Sequence, residues 1–174
     1  MDTIRTITPG EPERWQMGAV DNITPLLQPV AHALLQARDE INTIMADFDD
    51  RLIWKKPAAV AAPAFHLKHM AGVLDRLFTY AAGNSLSNQQ LEYLRSEEKD
   101  EGQSRTQLLA HFNGAVERSL ETLRTADPAQ LANERKVGRK GIPSTVLGLY
   151  FHAAEHTMRH TGQLLVTVRI LVSH

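Results

Sequence analysis

Residues 150–163 read YFHAAEHTMRHTGQ, and this stretch places His152, His156 and His160 at intervals of four residues. Four residues of α-helix make slightly more than one turn, so the three imidazoles lie along one side of a helix. Apolar residues on both sides of the stretch predict a helix that is buried over much of its surface. A buried imidazole needs a hydrogen-bond partner or a metal ion. We therefore interpret the rest of the chain as the scaffold around this helix.

The composition is that of an ordinary soluble protein: of 174 residues, 43% are hydrophobic and 22% are charged, and the net charge is −1 with neutral histidines. This balance gives no drive towards nucleic acid or an anionic membrane. No apolar run approaches the ~20 residues that cross a bilayer, and residues 1–14 lack the apolar core of a signal peptide. We expect one cytoplasmic domain over residues 1–174, with an irregular lead-in over residues 1–24.

Four long segments have apolar residues spaced three or four apart, which predicts four amphipathic helices. They run from about residue 25 to 48, 64 to 82, 104 to 127 and 144 to 171. No segment alternates convincingly between apolar and polar residues, so no strand is predicted. Residues 97–102 are acidic and are interpreted as a solvated linker. The pattern predicts an all-α protein built as a four-helix bundle.

The chain contains no cysteine, which leaves histidine and carboxylate as metal ligands. Two histidines four residues apart on a helix can reach one ion, and a third ligand must come from elsewhere. His69 is the best candidate, because it lies on the core-facing side of the second predicted helix, between Phe65 and Val73. Three neutral imidazoles leave a position on the metal open for water or substrate. The spacing alone does not decide which two of the three histidines in residues 150–163 would bind.

Four further residues are candidates for supporting roles. His66 could be a fourth ligand, and His66 and His152 could each lie beside the ligands. Gln163 could hold the free N–H of a ligand or a bound water. Arg139, in the basic loop 135–140, could bind an anionic group of the substrate. The simpler interpretations are satisfied core or rim histidines, a surface glutamine and a solvated loop.

Residues 65–71 (FHLKHMA) and 152–163 (HAAEHTMRHTGQ) resemble the corresponding motifs of the DinB/YfiT-like family of metal-dependent proteins. The resemblance extends over roughly residues 25–172. It implies a four-helix bundle with up-up-down-down order and a metal site made of one histidine from the second helix and two from the last. Carried over to this sequence, the ligands are His69, His156 and His160. We expect zinc or nickel, with iron or manganese as alternatives.

The resemblance also implies an activity, because family members with an assigned activity often use a low-molecular-weight thiol. We expect a metal-dependent transferase or hydrolase that acts on a small molecule with such a thiol or water as the nucleophile. The resemblance implies a homodimer and no nucleic-acid or membrane partner. The alternative is a non-catalytic metal-binding or stress-related protein, with a vestigial site or a structural site closed by a fourth ligand such as His66.

Overall fold

The computed structural model describes residues 11–173, so the part of the predicted lead-in before residue 11 lies outside the described residues. Most of this range is helical, with one small two-stranded antiparallel sheet. The elements are α1 Gln28–Met45, α2 Pro63–Ala81, α3 Asn88–Ser96, α4 Arg105–Arg124, β1 Glu134–Val137, β2 Ile142–Thr145 and α5 Val146–Val172. Within residues 11–173, no helix is long and apolar enough to cross a membrane.

The helices begin where the local sequence provides a cap. Pro63 occupies the first turn of α2, where the missing N–H costs nothing. The Ser104 hydroxyl accepts a hydrogen bond from the Gln107 N–H, and the Gln107 side-chain oxygen accepts one from the Ser104 N–H, which makes a capping box at the start of α4. The Thr145 hydroxyl accepts from the Gly148 N–H at the start of α5.

Two long helices, α1 and α2, each pack against both α4 and α5, and their apolar faces meet in one core. Each helix contributes fully buried side chains, so each has one face that cannot be exposed without a large loss of hydrophobic stabilisation. Fully buried members include Leu34 and Ile41 of α1, Leu67 of α2, Phe112 of α4 and Leu164 of α5. This core confirms the predicted amphipathic segments.

Polar contacts give the relative directions of α1 and α4. The Arg38 guanidinium donates to the Glu117 carboxylate at 3.2 Å, and the Asn42 and Asn113 side-chain amides exchange two hydrogen bonds of 3.1 and 3.0 Å. Because the partner number falls along α4 as the residue number rises along α1, these two helices are antiparallel. Histidine contacts show the same relation for α2 and α5, since His66 meets His160 and His69 meets His156.

The segment 48–53 shows that α2 and α4 start at the same end of the molecule. The Ala64 N–H donates to the Ile53 carbonyl at 2.8 Å, and the Arg105 guanidinium donates to the Phe48 carbonyl at 2.6 Å. The predicted up-up-down-down order is therefore wrong: α1 runs up, α2 and α4 run down, and α5 runs up. The connection after α1 folds back at the end where α1 finishes, whereas the connection that contains α3 returns along the molecule before α4 begins.

The sequence analysis predicted no strands, and this prediction is also wrong. β1 and β2 pair antiparallel, with Val137 opposite Ile142 and Lys136 opposite Pro143. Each strand has only four residues and carries at most one large apolar side chain, which is too little to produce a visible alternation. Gly138 and Gly141 turn the chain between the strands with positive φ angles of 63° and 60°.

The contact between α1 and α4 can be tested with Asn42→Ala, Asn113→Ala and the double variant. The two amides bond to each other, so we expect the double variant to lose less stability than the two single variants together, by about 0.5–1.5 kcal/mol. Urea unfolding measures the three free energies. In a control double-mutant cycle that pairs Asn42→Ala with Asn88→Ala at an exposed site, the changes in the free energy of unfolding should add within about 0.5 kcal/mol. Additivity between Asn42 and Asn113 would contradict the described contact.

Candidate metal centre

Three histidines from α2 and α5 meet in the structure. His69, His156 and His160 each offer one ring nitrogen, and these nitrogens lie within 4.8 Å of one another. The Nε2 atoms of His69 and His156 are 2.9 Å apart. The ring centroid of His160 lies 4.6 Å from the ring centroids of both other histidines. This cluster could hold a metal ion.

The separation of the ring nitrogens is compatible with a shared metal. Imidazole nitrogens bind zinc at about 2.0–2.1 Å, so two ligands at about 90–110° to each other are about 2.9–3.4 Å apart. The 2.9 Å between the Nε2 atoms of His69 and His156 lies at the short end of that range. Without a metal, two such atoms can approach this closely only when one carries a proton that the other accepts.

A buried carboxylate orients His69. The Nδ1 atom of His69 lies 2.7 Å from the Oε2 atom of Glu97, and the Arg76 guanidinium donates to Oε1 of the same carboxylate at 2.6 Å. Glu97 is only 3% exposed, so its charge needs both partners. A carboxylate at this position accepts a hydrogen bond from Nδ1–H. The proton therefore stays on Nδ1, and the lone pair is on Nε2, the atom that faces His156.

Two residues of α2 make room for Glu97 and hold the segment that carries it. A Cβ atom at Gly72 would lie 2.4 Å from the Glu97 Oε1 atom, so only glycine allows the carboxylate to approach the helix this closely. Lys68 is 1% exposed, and its ammonium donates to the Glu101 carboxylate at 2.8 Å and to the Lys99 carbonyl at 3.2 Å. Residues 97–101 are thereby fixed against α2.

Two of the clustered imidazoles are hard to protonate. Burial, together with the neighbouring His69, lowers the pKa of His156 to about 4 and that of His160 to about 3. The pKa of His66 is lowered to about 4, again mainly by burial. Neutral imidazole is the form that binds a metal, so these histidines are ready to act as ligands at neutral pH.

His66 and His152 lie beside the cluster in different ways. His66 is 3% exposed, and its Nδ1 atom lies 2.9 Å from the Nδ1 atom of His160. It supports His160 and is not part of the group of three. His152 is exposed, its Nδ1 atom is 3.4 Å from the Glu155 carboxylate, and its ring centroid is 5.5 Å from that of His156. Both histidines are therefore neighbours of the cluster.

The structure does not bring Gln163 or Arg139 to the histidines. Gln163 is exposed on α5 and makes no side-chain hydrogen bond with any residue of the described range. Arg139 is exposed in the turn between β1 and β2. That hairpin contacts the far end of α2, where Arg135 donates to the Ala81 carbonyl at 2.8 Å. Ala81 lies about 18 Å along the helix axis from His69.

Sequence reasoning missed Glu97, Arg76 and Gly72. The interpretation of residues 97–102 as a wholly solvated linker is wrong for Glu97, which is buried between α2 and α3. Nothing in the linker distinguishes Glu97 from the exposed Glu98. The available signals were on α2: a glycine inside a predicted helix often marks a close approach, and an arginine on a mostly buried helix requires an acidic partner.

A solved structure has the same overall fold. It is the crystal structure of a conserved protein from Enterococcus faecalis, and it superposes with a TM-score of 0.67 over 87% of this chain and 99% of that chain. The two sequences are 15% identical, so the similarity concerns the fold alone. The comparison with curated proteins gave no match.

A family model identifies the sequence more directly. The model of the DinB superfamily matches residues 33–164. The match begins in α1 and ends in α5, so it includes all three clustered histidines and Glu97. The resemblance drawn from the histidine motifs is confirmed, and the chain belongs to the DinB superfamily.

Proposed function

We propose that this protein is a metal-dependent enzyme in which His69, His156 and His160 hold one divalent ion, zinc or nickel. Its substrate is a small molecule, and its nucleophile is a low-molecular-weight thiol or water. The observation that carries the proposal is the convergence of three ring nitrogens from two helices, with a buried carboxylate on the outer nitrogen of one ring. Membership of the DinB superfamily agrees with it.

A metal held by three neutral imidazoles would supply uncancelled positive charge, which favours the anionic form of a thiol or a water. An enzyme also needs a position that substrate can reach. His66 is hydrogen-bonded to His160 and is not one of the three convergent groups, which argues against a closed four-histidine site. The three rings are only partly buried.

The surrounding residues control orientation and water. Glu97 accepts a hydrogen bond from the His69 ring and so fixes its tautomer, and the Arg76 guanidinium donates to the other oxygen of the Glu97 carboxylate. The Phe65 ring stacks on the His69 ring, with centroids 5.1 Å apart and planes inclined by 14°. It covers one face of that imidazole and keeps water from it. The four long helices serve as a bundle scaffold for this arrangement. The homodimer stays a prediction.

Metal content tests the ligand set. We expect His69→Ala, His156→Ala and His160→Ala to lower the metal bound per chain by about tenfold or more, because each removes one of three ligands. Elemental analysis of protein purified without a polyhistidine tag gives the stoichiometry. His152→Ala is the matched control, since it changes an exposed histidine on the same helix, and it should keep its metal. Unchanged metal content in His69→Ala would refute the ligand set.

The placement of Glu97 can be tested from both sides of the contact. Glu97→Gln weakens the hold on the His69 N–H, and Gly72→Ala pushes a methyl group into the carboxylate. We expect each variant to weaken metal binding by about 10–100-fold in a competition titration with a chelator. Gly162→Ala is the control, because a Cβ atom there meets open space. It should keep the metal affinity and gain about 0.5–1 kcal/mol of stability. Wild-type affinity in both site variants would contradict the role of Glu97.

The thiol is tested with cobalt(II) in place of the native metal. We expect cysteine or glutathione to add a thiolate-to-cobalt absorption band in the near ultraviolet, because an open position accepts a soft ligand. The band should be absent in His160→Ala, which has lost a proposed ligand. A spectrum that no thiol changes would leave water as the nucleophile. If no exchangeable ligand of any kind alters the spectrum, the site is closed and structural.

A further inference from the structure

A small cleft is lined in part by Phe65, the residue that stacks on His69. Its volume is about 210 Å³. Trp54, Val60, Ala61 and Phe65 give it apolar walls, and Lys56 and Glu98 add one charge of each sign. Val60 is 45% exposed.

The cleft is one aromatic ring away from the three histidines. The centroid of the Phe65 ring is 5.1 Å from that of His69 and 6.4 Å from that of His160. Phe65 is therefore a wall shared by the cleft and the cluster. A molecule with one end in the cleft and a chain long enough to pass the edge of this ring would bring its other end towards the histidines.

The cleft walls select by polarity and size. Aromatic and aliphatic walls favour apolar groups. Lys56 and Glu98 carry opposite charges, so the lining favours neither an anion nor a cation. An apolar cavity of about 150 Å³ is known to bind benzene, so this volume suits one ring or a short branched alkyl chain.

Trp54 adds a polar feature to these walls. Its indole Nε1 atom is buried and has no hydrogen-bond partner among residues 11–173. An indole N–H is a donor only, and a buried donor without a partner is costly.

From these observations we infer that the cleft is a substrate subsite for an uncharged apolar group, a single aromatic ring or a short branched alkyl chain. The word substrate rests on the proposed function, because the histidine cluster would act on the part of the bound molecule that extends past Phe65. Binding in the cleft does not itself require the metal. Its walls come from Phe65 of α2, from the segment 54–61 and from Glu98.

The test uses metal-free protein and three probes of one size: benzyl alcohol, benzoate and benzylammonium. In the Trp15→Phe background, Trp54 is the single tryptophan of the chain, so its fluorescence and its indole N–H signal in NMR report on the cleft. Trp15 is 64% exposed, which makes this replacement mild. We expect benzyl alcohol to shift both signals and to bind about tenfold more tightly than either charged probe.

A filling variant locates the binding. Ala61→Leu places three more carbon atoms against the cleft and should weaken benzyl alcohol binding about tenfold. Ala110→Leu makes the same change on the exposed face of α4 and should leave it unchanged. Equal binding of the three probes, no response of the indole N–H, or full binding by Ala61→Leu would each overturn the inference.

The cobalt experiment separates this inference from the proposed function. If benzyl alcohol binds the metal-free protein while no thiol or other ligand alters the cobalt spectrum, the apolar subsite is supported and the enzyme proposal is wrong. If thiols alter the spectrum but benzyl alcohol does not bind, the metal centre stands and the apolar subsite is wrong. A thiol with a phenyl ring on a longer chain, such as 4-phenylbutane-1-thiol, should bind the cobalt protein more tightly than butane-1-thiol when both hold, and Ala61→Leu should abolish that preference.

Discussion

The contact on which the histidine cluster depends most is the hydrogen-bonded chain from Arg76 through Glu97 to His69. It brings a carboxylate into a place where only 3% of that residue is exposed, and such burial is tolerated because a guanidinium and an imidazole N–H meet its two oxygens. Gly72 provides the space, and Lys68 fixes the segment that follows Glu97. Truncating one member leaves the others buried without a partner.

Much of the fold could be predicted from the sequence, because long amphipathic segments with capping residues carry strong local signals. Helices α4 and α5 begin within about two residues of their predicted starts, and the third residue of the cluster, His69, was found from its register on the apolar face of α2. The choice of His156 and His160 over His152 required the family motif. Spacing alone places all three on one side of the helix, whereas the structure leaves His152 exposed.

What could not be predicted depends on contacts between segments distant in the chain. The helix order follows from the way residues 46–62 turn back at the end of α1, and loop length alone is compatible with either direction. The hairpin is held by four residue pairs and has almost no apolar alternation to detect. Glu97 and Glu98 look equivalent in sequence, yet one is buried against α2 and the other is exposed. Only tertiary packing distinguishes them.

The buried Glu97 carboxylate couples the docking of residues 97–101 to the affinity of the histidine cluster for its ligand. His69 belongs to α2, whereas Glu97 ends α3 and starts a connecting segment that has few apolar contacts of its own. A ligand that needs His69 in one tautomer favours states in which residues 97–101 are docked, and docking raises the affinity by the same factor. Protection of these amides from hydrogen exchange should therefore increase with occupancy of the histidine cluster. A remote, mostly polar segment thus becomes part of the thermodynamics of the centre.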